Sequence, residues 1–204
     1  MTLPVDSIRS TLLACYYQDI NVNGDVTELK LHENYLKLAK PFNQQEIKVP
    51  VKGENFLSPY IDGKNRYYEM GYFLYRSNTY KLIIYNKIGE ADTLLLNVQV
   101  NSYDEKGNLV DALLVGSFFG YEDIVRFSDF VIHPDYTIDI DIYVIYRYTE
   151  NEDGSVKVIK DPIPQIYLKS KYQIENGRFE LISRNETPRS EKVKRVSNIP
   201  CHHH

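Results

Sequence analysis

Thr93-Leu94-Leu95-Leu96-Asn97-Val98-Gln99-Val100-Asn101 carries the clearest structural signal in the chain. Leu94, Leu96, Val98 and Val100 point one way, while Thr93, Asn97, Gln99 and Asn101 point the other. Ile138, Ile140, Ile142 and Val144 repeat the pattern against Asp139, Asp141 and Tyr143. A period of two is a strand signature, and a polar alternate face predicts a sheet wet on one side and covered on the other.

Outward from these two runs, further strands are expected at Arg66–Tyr75, Tyr80–Lys87, Leu109–Phe119, Ile124–His133, Ser155–Ile159, Ile166–Ile174 and Arg178–Ile182. Between them lie Asn78, Gly89, Asp104-Glu105-Lys106-Gly107-Asn108, Pro134-Asp135, Asn151-Glu152-Asp153-Gly154 and Asn176-Gly177. These residues tolerate the backbone conformations of hairpin turns. The fold class is therefore mainly β, all-β or α+β: an antiparallel meander forming a barrel, half-barrel or sandwich, with one or two short N-terminal helices. Residues 1–41 read as a helical N-terminal part. One helix is capped by Asp6 or Ser7 and runs through Tyr17, and a second element, helix or strand, spans Leu29 to Ala39. Glu46 to Lys52 reads as a short strand, and strands fill 45–183 of a single domain, 1–183.

The 204 residues include 18 Tyr and 8 Phe but no Trp, 2 Cys, 2 Met and 5 His. His202, His203 and His204 read as the end of a purification tag, which leaves His32 and His133. Cys15 and Cys201 are isolated, so a Cys/His zinc site cannot be assembled and no cofactor is expected. There is no phosphate-binding Gly-rich loop and no G-x-S-x-G elbow, and Ser128, Asp129 and His133 lie on one strand, where neighbours alternate faces and cannot converge as a triad. The chemistry on offer favours binding over catalysis.

Charge is uneven. Residues 1–183 hold 26 acidic and 19 basic residues, and the polar tail 184–201 is basic. An acidic body argues against a nucleic-acid-binding face. No run reaches the roughly 20 apolar residues of a membrane span, so a cytoplasmic protein is expected. Leu12-Leu13-Ala14-Cys15 resembles the consensus at which bacterial lipoproteins are cleaved and lipidated. That resemblance leaves an envelope location open, along with whether Met1 is the native start.

Asp19-Ile20-Asn21-Val22-Asn23-Gly24-Asp25-Val26-Thr27-Glu28 resembles the calcium loop of EF-hand and dockerin proteins. The resemblance implies oxygen ligands at Asp19, Asn21 and Asn23, with Asp25 and Glu28 in reserve. Lys30 falls where the bidentate carboxylate belongs, which removes the standard site. Asp139 and Asp141, with Asp135 just before them, are the candidate catalytic carboxylates. Two residues along a strand sets their side chains about 7 Å apart, and Arg147 shares their alternating face. The alternative is that they are solvated cross-strand partners.

Tyrosine is what the chain has in excess. If no bulge intervenes at Gly71, Tyr67 and Tyr75 share one strand face and Tyr68 and Tyr72 the other; with Tyr143 they form the expected contact surface. The functional expectation is a non-catalytic binding protein presenting an acidic, Tyr-rich surface to a protein partner, with an immunity-type or inhibitor protein as its concrete form. The alternatives are a carboxylate-dependent, glycosidase-like hydrolase and, for a hollow barrel, a small-ligand carrier. The meander, its turns and the acidic body have the texture of small bacterial β-rich proteins.

Overall fold

The computed structural model describes residues 1–5, 8–22, 26–53, 59–89, 92–121, 123–150 and 154–187. In chain order, a 3-10 helix Ser10–Cys15 precedes β1 (Tyr17–Val22), β2 (Val26–Leu31), α1 (Glu33–Leu36), β3 (Lys40–Pro41), α2 (Gln44–Lys48) and β4 (Val51–Lys52). The meander follows as β5 (Arg66–Tyr75), β6 (Asn78–Ile88), β7 (Leu94–Tyr103), β8 (Leu109–Gly120), β9 (Ile124–Ile132) and β10 (Thr137–Tyr146). It ends with β11 (Tyr148–Glu150), β12 (Val156–Val158), β13 (Gln165–Glu175) and β14 (Arg178–Glu186).

Ten of these strands make one sheet in the order β14-β13-β10-β9-β8-β7-β6-β5-β3, with β4 also on β8. The sheet does not close into a barrel. It splits instead at β8 and β9, which pair only through Phe118–Gly120 and Val125–Phe127. Since β7 and β10 hold the far edges of these two strands along their length, the diverging edges need other partners. β4 takes that of β8 in parallel, with Val51 opposite Ala112 and Lys52 opposite Leu113. The N-terminal segment takes that of β9, through a bridge from Arg9 to Val131 and an Ile132 N–H to Ile8 carbonyl bond of 2.9 Å.

The two half-sheets face each other across the main core. Phe73, Leu82, Val98 and Leu113 come from one half, Phe130, Ile140, Leu168 and Phe179 from the other, and Leu3, Ile8, Leu13, Leu29 and Leu31 from the N-terminal elements. Asp111 on β8 pins the open side. Its Oδ2 accepts from the Lys52 ammonium at 2.7 Å and from the Phe179 N–H of β14 at 2.8 Å. Asn176 and Gly177, at φ 48° and 78°, make the tight turn between β13 and β14 that the Asn-Gly pair predicted.

The N-terminal third departs from the helical reading. Asp6 and Ser7 lie outside the described residues, and the first helix is a single 3-10 stretch. Most of 17–31 is the β1–β2 hairpin, with Tyr17 opposite Leu31. Of the second expected element, Leu29–Leu31 belongs to β2 and Glu33–Leu36 to α1, which His32 caps by accepting from Asn34 N–H. Where a strand was expected from Glu46, a helix forms, because Asn43 and Glu46 make a reciprocal capping box. The basic tail also begins later than Arg184, since β14 runs to Glu186.

Gly71 permits the N-terminal path. A Cβ there would stand 2.7 Å from Leu3 Cγ and 2.8 Å from the Met1 carbonyl oxygen, in the place where Met1–Leu3 hydrogen-bonds to Tyr72. Among the described residues, no helix is long and apolar enough to cross a membrane. Cleavage before Cys15 would remove Leu3, Ile8 and Leu13 from the core.

Candidate functional site

The polar alternates of β7 are not wet. Asn97, Gln99 and Asn101 are 2%, 1% and 0% exposed, and Tyr103 is buried beside them. Their cover is the chain from Phe42 to Val51, whose Phe42, Ile47, Val49 and Val51 pack with Ile61 on Tyr67, Ile83, Tyr85, Ala112 and Leu114. The wet-face expectation fails because alternation reports two environments without saying that the polar one is solvent.

Glu46 sits at the centre of this cover. Asn43 Oδ1 accepts from the Gln45 and Glu46 amides, both at 2.9 Å, and Glu46 Oε2 accepts from the Asn43 amide at 2.8 Å. That box turns Oε1 toward the sheet, where it accepts from the Tyr103 hydroxyl at 2.6 Å and the Tyr67 hydroxyl at 3.2 Å. Behind Tyr103 the bonds continue: Asn101 Nδ2 donates to the Tyr103 hydroxyl (3.2 Å), Gln99 Nε2 to Asn101 Oδ1 (2.5 Å), and the Tyr85 hydroxyl to Gln99 Oε1 (2.8 Å). Burial, reinforced by the Glu46 charge, pushes the Tyr67 and Tyr103 phenols far above their ordinary pKa; burial alone does so for Tyr85. At the rim, Lys40 and Lys81 ion-pair with Glu69 at 3.0 and 3.3 Å. Burial opposes the Glu69 charge, but the two ammoniums outweigh it and hold the carboxyl below its usual value. The same ammoniums stand 5.2 Å and 5.0 Å from the ring centres of Tyr67 and Tyr103.

The candidate catalytic carboxylates lie elsewhere, on the outer face of the second half-sheet. Asp139 binds His133 Nε2 at 2.8 Å and Lys171 at 3.5 Å, and Asp141 binds Lys169 at 3.2 Å. Both lysines are the cross-strand partners of these aspartates on β13. Asp135 closes the β9–β10 turn. Its Oδ1 accepts from the Thr137 amide and hydroxyl at 3.0 and 2.8 Å, bonds that hold its pKa below the usual carboxylate range. The Arg147 backbone N–H bonds to the Asp123 carbonyl.

The expected tyrosine surface is divided among separate environments. A register shift between Glu69 and Gly71 flips the face parity of β5, so Tyr67 no longer shares a face with Tyr75, nor Tyr68 with Tyr72. Tyr67, 3% exposed, belongs to the buried network, and Tyr143, 8% exposed, stacks on Phe127 with centroids 5.1 Å apart. These two are corrected from contact surface to interior. Tyr68 packs against Tyr35 and Tyr16 at 4.8 and 5.9 Å, Tyr75 stacks on Tyr136 at 3.7 Å, and the Tyr72 backbone holds the N-terminal segment.

Of the calcium candidates, Asn23 and Asp25 lie outside the described residues. Asp19 and Asn21 sit on β1 opposite Leu29 and Thr27, so a hairpin replaces the helix that precedes a calcium loop. Glu28 Oε1 is engaged by the Leu94 N–H at 3.0 Å. Among the described residues no cluster of His, Cys, Asp or Glu could hold a metal ion.

Among the described residues, two strand regions each carry a pair of exposed apolar side chains. β11 and β12 pair only with each other, as a ribbon outside the main sheet, with Val156 and Val158 on one side of it at 69% and 63% exposure. Leu181 and Ile182 are exposed on β14, an edge strand guarded by a bulge at Ile182 and four charged side chains. Comparison with known proteins finds no matching family model, no matching curated protein and no matching solved structure.

Proposed function

We propose that the chain is a non-catalytic binding protein that engages a protein partner, in the manner of an immunity or inhibitor protein. The observation that carries this reading is the β11–β12 ribbon. A two-stranded ribbon is marginal by itself, and one that holds two valines to solvent gains from being covered. The excess of acidic residues in 1–183 would speed encounter with a basic partner. The competing hydrolase reading rests on Asp135, Asp139 and Asp141, whose bonds to a turn and to cross-strand lysines give them structural work already. A carrier would need a closed, hollow barrel, and the sheet is open.

The test places a photo-crosslinking residue at Val158 and, as a control, at Glu105 in the exposed β7–β8 turn, in cells that make the protein. A single crosslinked partner is expected from position 158 alone. Its purified form should bind the wild-type chain, and Val156→Lys with Val158→Lys should abolish that binding without changing Tm. Unaltered binding by the double variant overturns the proposal.

A further inference from the structure

Burying amides and phenols is costly unless each finds a partner, and a sheet face that only needed covering would be cheaper in valine and leucine. β7 nevertheless turns Asn97, Gln99, Asn101 and Tyr103 under the segment 40–52. At one end of the row the bonds terminate on a carboxylate oxygen of Glu46. At the other, the Asn97 amide is buried against the Tyr85 phenol.

The cover has little independent structure. Two-residue strands, β3 and β4, tie its ends, and α2 has five residues, too few to hold a helix without support. The cover's contact with the sheet is mixed: Phe42, Ile47, Val49 and Val51 bury apolar surface, while the amides, phenols and carboxylate beside them can each exchange a partner for water when the surfaces part.

We propose that this row is a carboxylate-binding site, that Glu46 is its built-in occupant, and that residues 42–50, between β3 and β4, are the cover that vacates it. The ligand is a carboxylate, from a small free acid or from an acidic side chain. The hydroxyls of Tyr103 and Tyr67 would donate to it as they now donate to Glu46. Lys40 and Lys81, beside the two rings, add positive potential at the entrance. The proposal stands independently of the partner-binding reading.

The experiment uses the full chain. Glu46→Ala empties the site, and its Tm is followed against sodium acetate, with sodium chloride at matched ionic strength. Tm of Glu46→Ala should rise saturably with acetate and not with chloride, as binding to the folded state alone requires. Wild type, and Glu46→Ala with Tyr103→Phe, should not respond. N-acetyl-glutamate amide in place of acetate separates the sources: a larger rise assigns an acidic side chain, an equal one a free acid. In wild-type hydrogen exchange, the Ile47 and Val49 amides should exchange at least about tenfold faster than amides of β6 and β7, through local opening. Folded Glu46→Ala that gives no response to acetate beyond chloride overturns the proposal, as does exchange at Ile47 and Val49 only at the global rate. If Glu46→Ala does not fold, the isosteric Glu46→Gln replaces it. Faster exchange across 42–50 in that variant supports the proposal, and unchanged exchange overturns it.

Discussion

Asp111→Ala should destabilise the protein mainly through one backbone amide. The Asp111 side chain is 5% exposed and joins three strands: Oδ2 accepts from the Phe179 N–H of β14 and the Lys52 ammonium of β4, and Oδ1 contacts the Ala112 amide of its own strand. Phe179 is 1% exposed, so its N–H has no water to turn to once the carboxylate is gone. A hydrogen bond to a charged group is worth about 1.5–3 kcal/mol, and an orphaned buried donor costs about 1–3 kcal/mol. These figures describe the same loss in part, so the expected total is about 3 kcal/mol. Lys52 adds little, because its side chain is 36% exposed and its second bond, to the Phe179 carbonyl at 2.8 Å, survives. For a chain of this size, 3 kcal/mol lowers Tm by about 6–12 °C. Lys52→Met, which removes only the half-solvated partner, should cost about 1 kcal/mol or less. Urea unfolding of both variants measures the contrast, and exchange of the Phe179 amide should accelerate in Asp111→Ala. Equal losses in the two variants, or an Asp111→Ala loss below about 1 kcal/mol, would refute the assignment of Asp111 as the pin between the half-sheets.

Three other outcomes follow from the same structure. The folded-state pKa values of Tyr67, Tyr85 and Tyr103 lie above the ordinary 10.0, so their contribution to stability is complete below pH 10 and is lost as pH climbs toward the folded values. Tm should therefore fall above pH 10, and absorbance titration at the phenolate band should show a late-ionising class that appears with unfolding. Gly71→Ala forces a methyl group onto Leu3 and the Met1 carbonyl and should cost about 1–3 kcal/mol in urea unfolding; adding Leu3→Ala should relieve only part, because the backbone oxygen remains. Asp139→Asn and Asp141→Asn should each change stability by less than about 1 kcal/mol, since both partner lysines are substantially exposed; a larger loss would mean these pairs hold the sheet.

The meander was legible from runs rich in aliphatic and aromatic residues set between turn signals. Arg66–Tyr75 is the observed β5, and the expected Leu109–Phe119 and Ile124–His133 each differ from β8 and β9 by one terminal residue. Period two identifies a strand but not what lies over its polar side, so Asn97, Gln99 and Asn101 read as solvated when they are buried. A signal for their cover was present in the sequence. Asn43 and Glu46 stand at capping-box spacing, which predicts a helix start and fixes one carboxylate oxygen. The tyrosine faces were misassigned for a different reason: one extra residue near Met70 inverts the parity of everything after it, and composition gives no notice of a bulge.

The placement of the first thirteen residues bears on how the molecule can be made. Leu3 bonds to Tyr72 on β5, and Ile8 to Ile132 on β9, so the segment leaves the ribosome long before either docking strand has been synthesised. Until β9 has emerged, Leu3, Ile8 and Leu13 belong to a core that does not yet exist, and the chain must carry them as exposed apolar side chains. Contacts this distant in sequence make closure of the N-terminus a late step and folding slow for the chain's size. The growing chain is thus most exposed to misassociation over the interval in which residues 14 to 132 are being translated.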